Sequence, residues 1–250
     1  MQNKKAKVIV FDFDGVVCDS TDECLVTSWN AWQKWNSRRG FRINLVEFSD
    51  EEKATFRQLR PYVRGAGEYY ILRRSMEEAF LITAQKVFER LRERWLDHLE
   101  PFKAVFYDAR EKLRLQDIES WVILHPVFED VIAVMKKLNE QQRLRVATLK
   151  DSTSVRLILE HYGVYLLPEH LLAESQISSK LEALNHYSEK ENLSKKDLIF
   201  IDDNVTHLFE PKKAGYNTLL TGWGPSLEEH RRLAIKNNIP IITNIYESDL

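Results

Sequence analysis

Two aspartates one residue apart, Asp12 and Asp14, close the apolar run Val8-Ile9-Val10-Phe11, and Gly15 follows at once. Four apolar residues with β-branched Val and Ile predict a buried strand, and glycine lets the backbone turn sharply just after it. A carboxylate at a strand's end faces a crevice. While the backbone stays extended, Asp12 and Asp14 leave one face and Phe13 enters the core. Two close, buried like charges need compensation, and hard Mg²⁺, which prefers carboxylate, carbonyl and water oxygens, supplies it. The chemistry such a layout can perform is phosphoryl transfer.

Asp12-Phe13-Asp14-Gly15-Val16-Val17-Cys18-Asp19-Ser20 resembles the first motif of the haloacid dehalogenase superfamily, in its Mg²⁺-dependent, phosphoglycolate phosphatase-like and phosphomutase branch. The resemblance implies that Asp12 attacks phosphorus to form an aspartyl-phosphate, while Asp14 protonates the leaving oxygen and then deprotonates water. Dehalogenases and phosphonatases lack that second acid, so their chemistries are not expected. Thr148, after the strand-like Val146-Ala147, resembles the second motif, which holds a phosphoryl oxygen. Lys180, between that motif and the fourth, is expected to neutralise nucleophile and phosphoryl group, although its surroundings depart from the usual Lys-Pro-x-Pro. Phe200-Ile201-Asp202-Asp203-Asn204 resembles the fourth motif, making Asp203 the third contributor to Mg²⁺ beside Asp12 and the Asp14 carbonyl. The Gly15 backbone completes the phosphate cradle.

Asp202, expected to point away from Asp203 in an extended strand, is read as orienting a ligand or closing the metal's outer shell. Asn204 partly replaces a second acid, because His207 stands where many relatives carry one. Lys150 is left between reaching for a phosphate and standing in a solvated loop. Arg60-Pro61-Tyr62-Val63-Arg64-Gly65-Ala66-Gly67-Glu68-Tyr69-Tyr70 is the most unusual segment of the insert. Two readings stand for it: glycines that let the backbone bend over the site with Arg60, Arg64 or Arg73 gripping an anionic substrate, or an inter-helix turn with solvated arginines. His125, before Pro126, is read as a packing or turn residue.

Stepwise placement of these residues needs a scaffold. With 250 residues, 44% hydrophobic and 30% charged, the chain can bury one good core plus a smaller unit. Thirty-six Lys and Arg against 38 Asp and Glu leave a net charge of −2, which marks no nucleic-acid binder; Lys4, Lys5 and Lys7 make only a short basic tip. No apolar run approaches the length of a membrane span and no signal-peptide core is visible, so a cytoplasmic protein without membrane association is expected. Cys18 and Cys24 lack disulfide-framework or zinc spacing and are read as reduced packing residues.

From about Ser20 to Ser120 the pattern is helical. Ser20-x-x-Glu23 and Ser49-x-x-Glu52 read as capping boxes, Trp29, Trp32 and Trp35 as a helix-packing stripe, Ala79 to Leu99 as helical, and Pro101 as a first-turn residue. From Pro126, helices and strands alternate, with strands at 144–149, 171–173, 198–201, 218–220 and 239–243 and a helix capped by Ser226-x-x-Glu229. Alternation implies a parallel sheet covered on both faces. The expected fold is α/β, a doubly wound, Rossmann-like core of residues 1–19 and 121–250 with an inserted all-helical cap, 20–120. The expected activity is Mg²⁺-dependent removal of phosphate from a small phosphorylated metabolite by a monomer or homodimer. The alternatives are a phosphomutase of the β-phosphoglucomutase type and a catalytically silent phosphate-binding regulatory module.

Overall fold

A computed structural model describes residues 7–248, so Lys4 and Lys5 lie outside the described residues. Along the chain run β1 (Val8–Phe11), α1 (Thr21–Trp35), α2 (Asp50–Leu59), α3 (Tyr69–Glu77), α4 (Gln85–Arg94), α5 (Leu96–Gln116), α6 (Ile118–Ile123), α7 (Glu129–Glu140) and β2 (Leu144–Ala147). Then follow α8 (Ser152–His161), β3 (Leu171–Leu172), α9 (Lys180–Lys190), β4 (Leu198–Asp202), α10 (Val205–Lys213), β5 (Asn217–Thr221), α11 (Glu228–Lys236) and β6 (Ile241–Ile242). The chain divides into two compact units, one of residues up to Asp19 with Val127 onward, the other Ser20–Pro126. The second crossing therefore falls at 126/127 and not at 120/121, because α6 and His125 belong to the helical packing: Trp121 and His125 are buried and meet edge to face at 4.5 Å.

In the first unit, the described strands form one parallel sheet of order β3-β2-β1-β4-β5-β6. The α/β, Rossmann-like architecture expected from the alternation is the one observed. β1 lies between β2 and β4 and is buried at all its positions, which is why its sequence is apolar on both faces. On one face Val8, Val10, Leu198, Phe200 and Leu220 pack with Ala183, Leu184 and Tyr187 of α9, Leu208 of α10 and Ala234 of α11. Ile9 and Phe11 alternate to the other face. The chain winds outward from β1 through β2 to β3, then returns to the far side of β1 for β4. The strand order thus switches between β1 and β4, and the crevice beyond their carboxyl ends is where an open α/β sheet binds ligands. Asp12 and Asp202 stand there.

Several local expectations shift. β2 ends at Ala147, not Leu149, although Thr148 still donates its N–H to Leu172 C=O at 2.9 Å. Val127 precedes α7 and bridges to Cys18. Ser226 does not cap α11, whose N-cap is Leu227; its hydroxyl accepts from Arg231 Nε at 3.3 Å.

The helical unit keeps the Ser49 capping box, with Ser49 Oγ accepting from Glu52 N–H at 3.1 Å. Ser20 makes no such cap, because Glu23 is held by Arg110 at 2.8 Å through both oxygens and by Thr27 Oγ1 at 2.6 Å. Residues 79–84 are not helical, and Pro101 lies inside α5, past its first turn. Trp32 and Trp35 pack on Tyr70 and Phe102, and Trp29 on Phe48. Cys18 and Cys24 are buried and form no disulfide.

Candidate active site

Asp12 continues β1, its N–H donating to Ile201 C=O of β4 at 2.9 Å, and its carboxyl is buried. Lys180, the first residue of α9, reaches it from a helix start that Ser179 caps by accepting from Glu182 N–H at 3.2 Å. Lys180 Nζ donates to Asp12 Oδ1 at 2.5 Å and to Ala147 C=O at 2.8 Å, and lies 3.7 Å from Asp202 Oδ2. The position that sequence could place only by order along the chain is thus directly on the nucleophile candidate. Lys150 carries the other acid: its fully buried side chain donates to Asp14 Oδ1 at 3.0 Å. It is neither in a solvated loop nor an isolated cation.

β4 ends at Asp202, and the two adjacent acids take different partners. Asp202 accepts from Asn204 N–H at 2.8 Å and from His207 Nδ1 at 3.1 Å. Asp12, Asp202 and His207 bring ligand atoms within 4.8 Å of one another. Asp203 is buried against the turn after Asp14, where a methyl group on Gly15 would lie 2.1 Å from its Oδ2. Gly15 has φ +82°, a left-handed conformation that glycine adopts without strain. Its N–H donates to Cys18 C=O at 2.8 Å, so it is not a phosphate donor; its requirement is conformational and steric. Asn204 does not stand in for an acid either, since its side-chain oxygen accepts from Thr206 N–H at 3.0 Å and caps α10. Thr148 is buried, and its Oγ1 accepts from Lys150 N–H at 3.2 Å.

Burial pushes the Asp12 carboxyl above its ordinary value, with Lys180 opposing, Asp202 adding to the rise and His207 opposing. At Asp202 burial acts the same way but is outweighed by His207, Lys180 and the Asn204 N–H, which hold it below the usual range. Four carboxyls, Asp12, Asp14, Asp202 and Asp203, stand against two lysines, Lys150 and Lys180, at this end of the sheet. That surplus of carboxyls over lysines is what a bound cation compensates.

The gap that sequence reasoning left is the loop after β5. A methyl group on Gly224 would lie 2.1 Å from the Gly15 carbonyl oxygen and 3.1 Å from Asp203 Cβ, and the Trp223 indole donates to Val16 C=O at 3.1 Å. The signal was available: Gly222-Trp223-Gly224 follows an apolar strand, as Asp-x-Asp-Gly does.

The arginines assigned to substrate grip have partners inside the helical unit. Arg73 is buried and donates to Ser28 Oγ at 2.9 Å and to Leu25 C=O, with Phe56 beneath it. Arg64 binds Glu68 at 3.1 Å and Glu89 at 3.0 Å, and buried Arg60 donates to Val63 C=O at 3.2 Å. A methyl group on Gly67 would meet Leu99 C=O at 2.4 Å, so this glycine allows close packing on α5. His125 is fully buried, its Nδ1 3.1 Å from Trp121 C=O.

The sequence model of haloacid dehalogenase-like hydrolases matches residues 6–215. This chain belongs to that family. Among solved structures, a predicted phosphatase from Clostridium acetobutylicum superposes with a TM-score of 0.62 at 14% identity, covering 97% of this chain and 96% of the other. A predicted phosphoglycolate phosphatase from Haemophilus somnus gives 0.62 at 18% identity over 96% and 94%. A haloacid dehalogenase-like hydrolase from Streptococcus pneumoniae gives 0.58 at 15% over 97% and 96%. These likenesses are likenesses of fold. No curated protein sequence matches. No helix among the described residues is long and apolar enough to cross a membrane.

Proposed function

We propose that this family member is a Mg²⁺-dependent phosphatase of small phosphorylated metabolites that works through an aspartyl-phosphate. The observation that carries this reading is the pair Asp12 and Asp14, one residue apart at the end of β1, each on its own buried lysine. In the first step an Asp12 oxygen forms a bond to phosphorus, the ester P–O bond breaks, and Asp14 gives its proton to the leaving oxygen. In the second, Asp14 takes a proton from water as the water oxygen bonds phosphorus and the electron pair returns to Asp12. Lys180 and Thr148 are the fixed donors for the transferring group, and fixed donors carry most of phosphoryl-transfer catalysis. Asp12, Asp202, Asp203 and the Asp14 carbonyl would hold Mg²⁺, which when bound neutralises the charge of the transferring oxygens. Two of the structural relatives are described as predicted phosphatases, which agrees with the reading.

The test is phosphate release from a panel of metabolite esters, with Mg²⁺ and with chelator, beside Asp12→Asn. Release that needs both metal and Asp12 is expected. Release that persists in Asp12→Asn, or none from any ester, contradicts the proposal.

A further inference from the structure

The Asp-x-Asp pair is served by two lysines from different elements, and only Lys180 has a role in the scheme above. Lys150 is the more deeply buried, with a side chain 0% exposed against 3% for Lys180. Its backbone is held on both sides: N–H donates to Thr148 Oγ1 at 3.2 Å, C=O accepts from Glu174 N–H at 3.3 Å, and the next residue, Asp151, caps α8 through Ser154 N–H at 2.8 Å. An ammonium group has three donors and no acceptor, and burying it without an acceptor is costly. It therefore holds the carboxylate oxygen it faces, Oδ1 of Asp14, at 3.0 Å.

We propose that Lys150 is a positioning residue for Asp14, fixing its carboxylate through Oδ1 so that the proton given to the leaving oxygen, and later taken from water, is carried on Oδ2. The inference rests on the phosphatase reading. As Asp12 bonds phosphorus, the electron pair of the breaking ester bond passes to the leaving oxygen, which takes the proton from Oδ2. Oδ2 then takes the proton of the attacking water. The same oxygen must be presented in both steps, and a carboxylate free to turn would present it only part of the time.

A residue that acts through the acid has a readout that a phosphate ligand lacks. For kcat/KM, which reports the steps up to aspartyl-phosphate formation, an alkyl phosphate needs its leaving oxygen protonated, whereas 2,4-dinitrophenyl phosphate does not. Lys150→Met is expected to lose about 100-fold on the best alkyl ester and less than about 10-fold on the dinitrophenyl ester. Asp14→Asn should show the same selectivity, and the double variant should be no worse than Asp14→Asn alone. Should Lys150→Met fail to fold, Lys150→Gln keeps a neutral donor and is expected to show a smaller loss with the same selectivity. Equal losses on both esters, as a phosphate contact or a general packing role would give, overturn the proposal, and so does an undiminished alkyl ester. Wild-type turnover that Asp12→Asn abolishes keeps the phosphatase reading whatever Lys150→Met does. A wild type that turns over neither ester overturns both.

Discussion

Replacing Gly15 by alanine separates the fold from the chemistry, because the obstacle that the new methyl group meets is a functional side chain. The methyl group would lie 2.1 Å from Asp203 Oδ2 and 2.4 Å from its Cγ. Ordinary contact begins near 3.4 Å, so the carboxylate must retreat by about 1 Å. A carboxylate can swing, which keeps the cost to stability small; the φ of +82° adds about 1–2 kcal/mol for a residue with a Cβ. A 1 Å misplacement of a positioned group costs about 100-fold in rate. The expected Gly15→Ala protein is folded, with an unfolding free energy lower by about 1–2 kcal/mol, a kcat/KM lower by about 100-fold and a raised Mg²⁺ requirement. The assays are urea unfolding and phosphate release across a Mg²⁺ titration. In Gly224→Ala the obstacle is the Gly15 carbonyl, 2.1 Å away and part of the backbone, so that variant should lose more stability than Gly15→Ala. Wild-type kcat/KM and Mg²⁺ dependence in Gly15→Ala would refute the reasoning that places Asp203 at the metal.

Three further outcomes follow from the packing. Arg110→Met leaves Glu23 buried without the guanidinium that binds both its oxygens, and should cost about 3–5 kcal/mol in thermal or urea unfolding. Ser49→Ala removes the hydroxyl that accepts from Glu52 N–H and should cost about 1 kcal/mol; an unchanged unfolding midpoint would show that the cap contributes nothing. Burial, with Arg145 nearby, holds the His170 imidazole below its ordinary value of 6.5. Between that lowered value and 6.5 the unfolded chain binds more protons than the folded one, so stability falls as pH drops through this window and is level above it. His170→Gln should flatten that part of the stability profile, and an unchanged profile would exclude His170 as its source.

What was legible in the sequence were the features set by local pattern. The apolar run before Asp12 names the central strand, its continuous hydrophobicity reflecting burial on two faces. Gly15 marks the turn after that strand and has positive φ. Lys180 is singled out by its order between the second and fourth motifs. What was not legible depends on partners distant in sequence. Ser20-x-x-Glu23 has the letters of a capping box, yet Arg110, 87 residues on, takes the glutamate. Lys150 could not be assigned until the loop after β2 was seen to fold it over Asp14. The strand alone does not name the partners of Asp202 and Asp203, which are Lys180 and His207 for the first and the Gly15 turn for the second. Arg73 looks like an anion grip in sequence, and its surroundings are Ser28, Leu25 and Phe56.

The central claim is that Asp12 carries the phosphoryl group. Rapid acid quench of the Mg²⁺-loaded protein during turnover of its best ester, followed by peptide mass spectrometry, tests it directly. A hydroxylamine-sensitive phosphoryl adduct on the peptide spanning Val8 to Asp19, absent in Asp12→Asn and accumulating in Asp14→Asn, is the predicted result. Turnover with no adduct on that peptide, or an adduct on another residue, would contradict it.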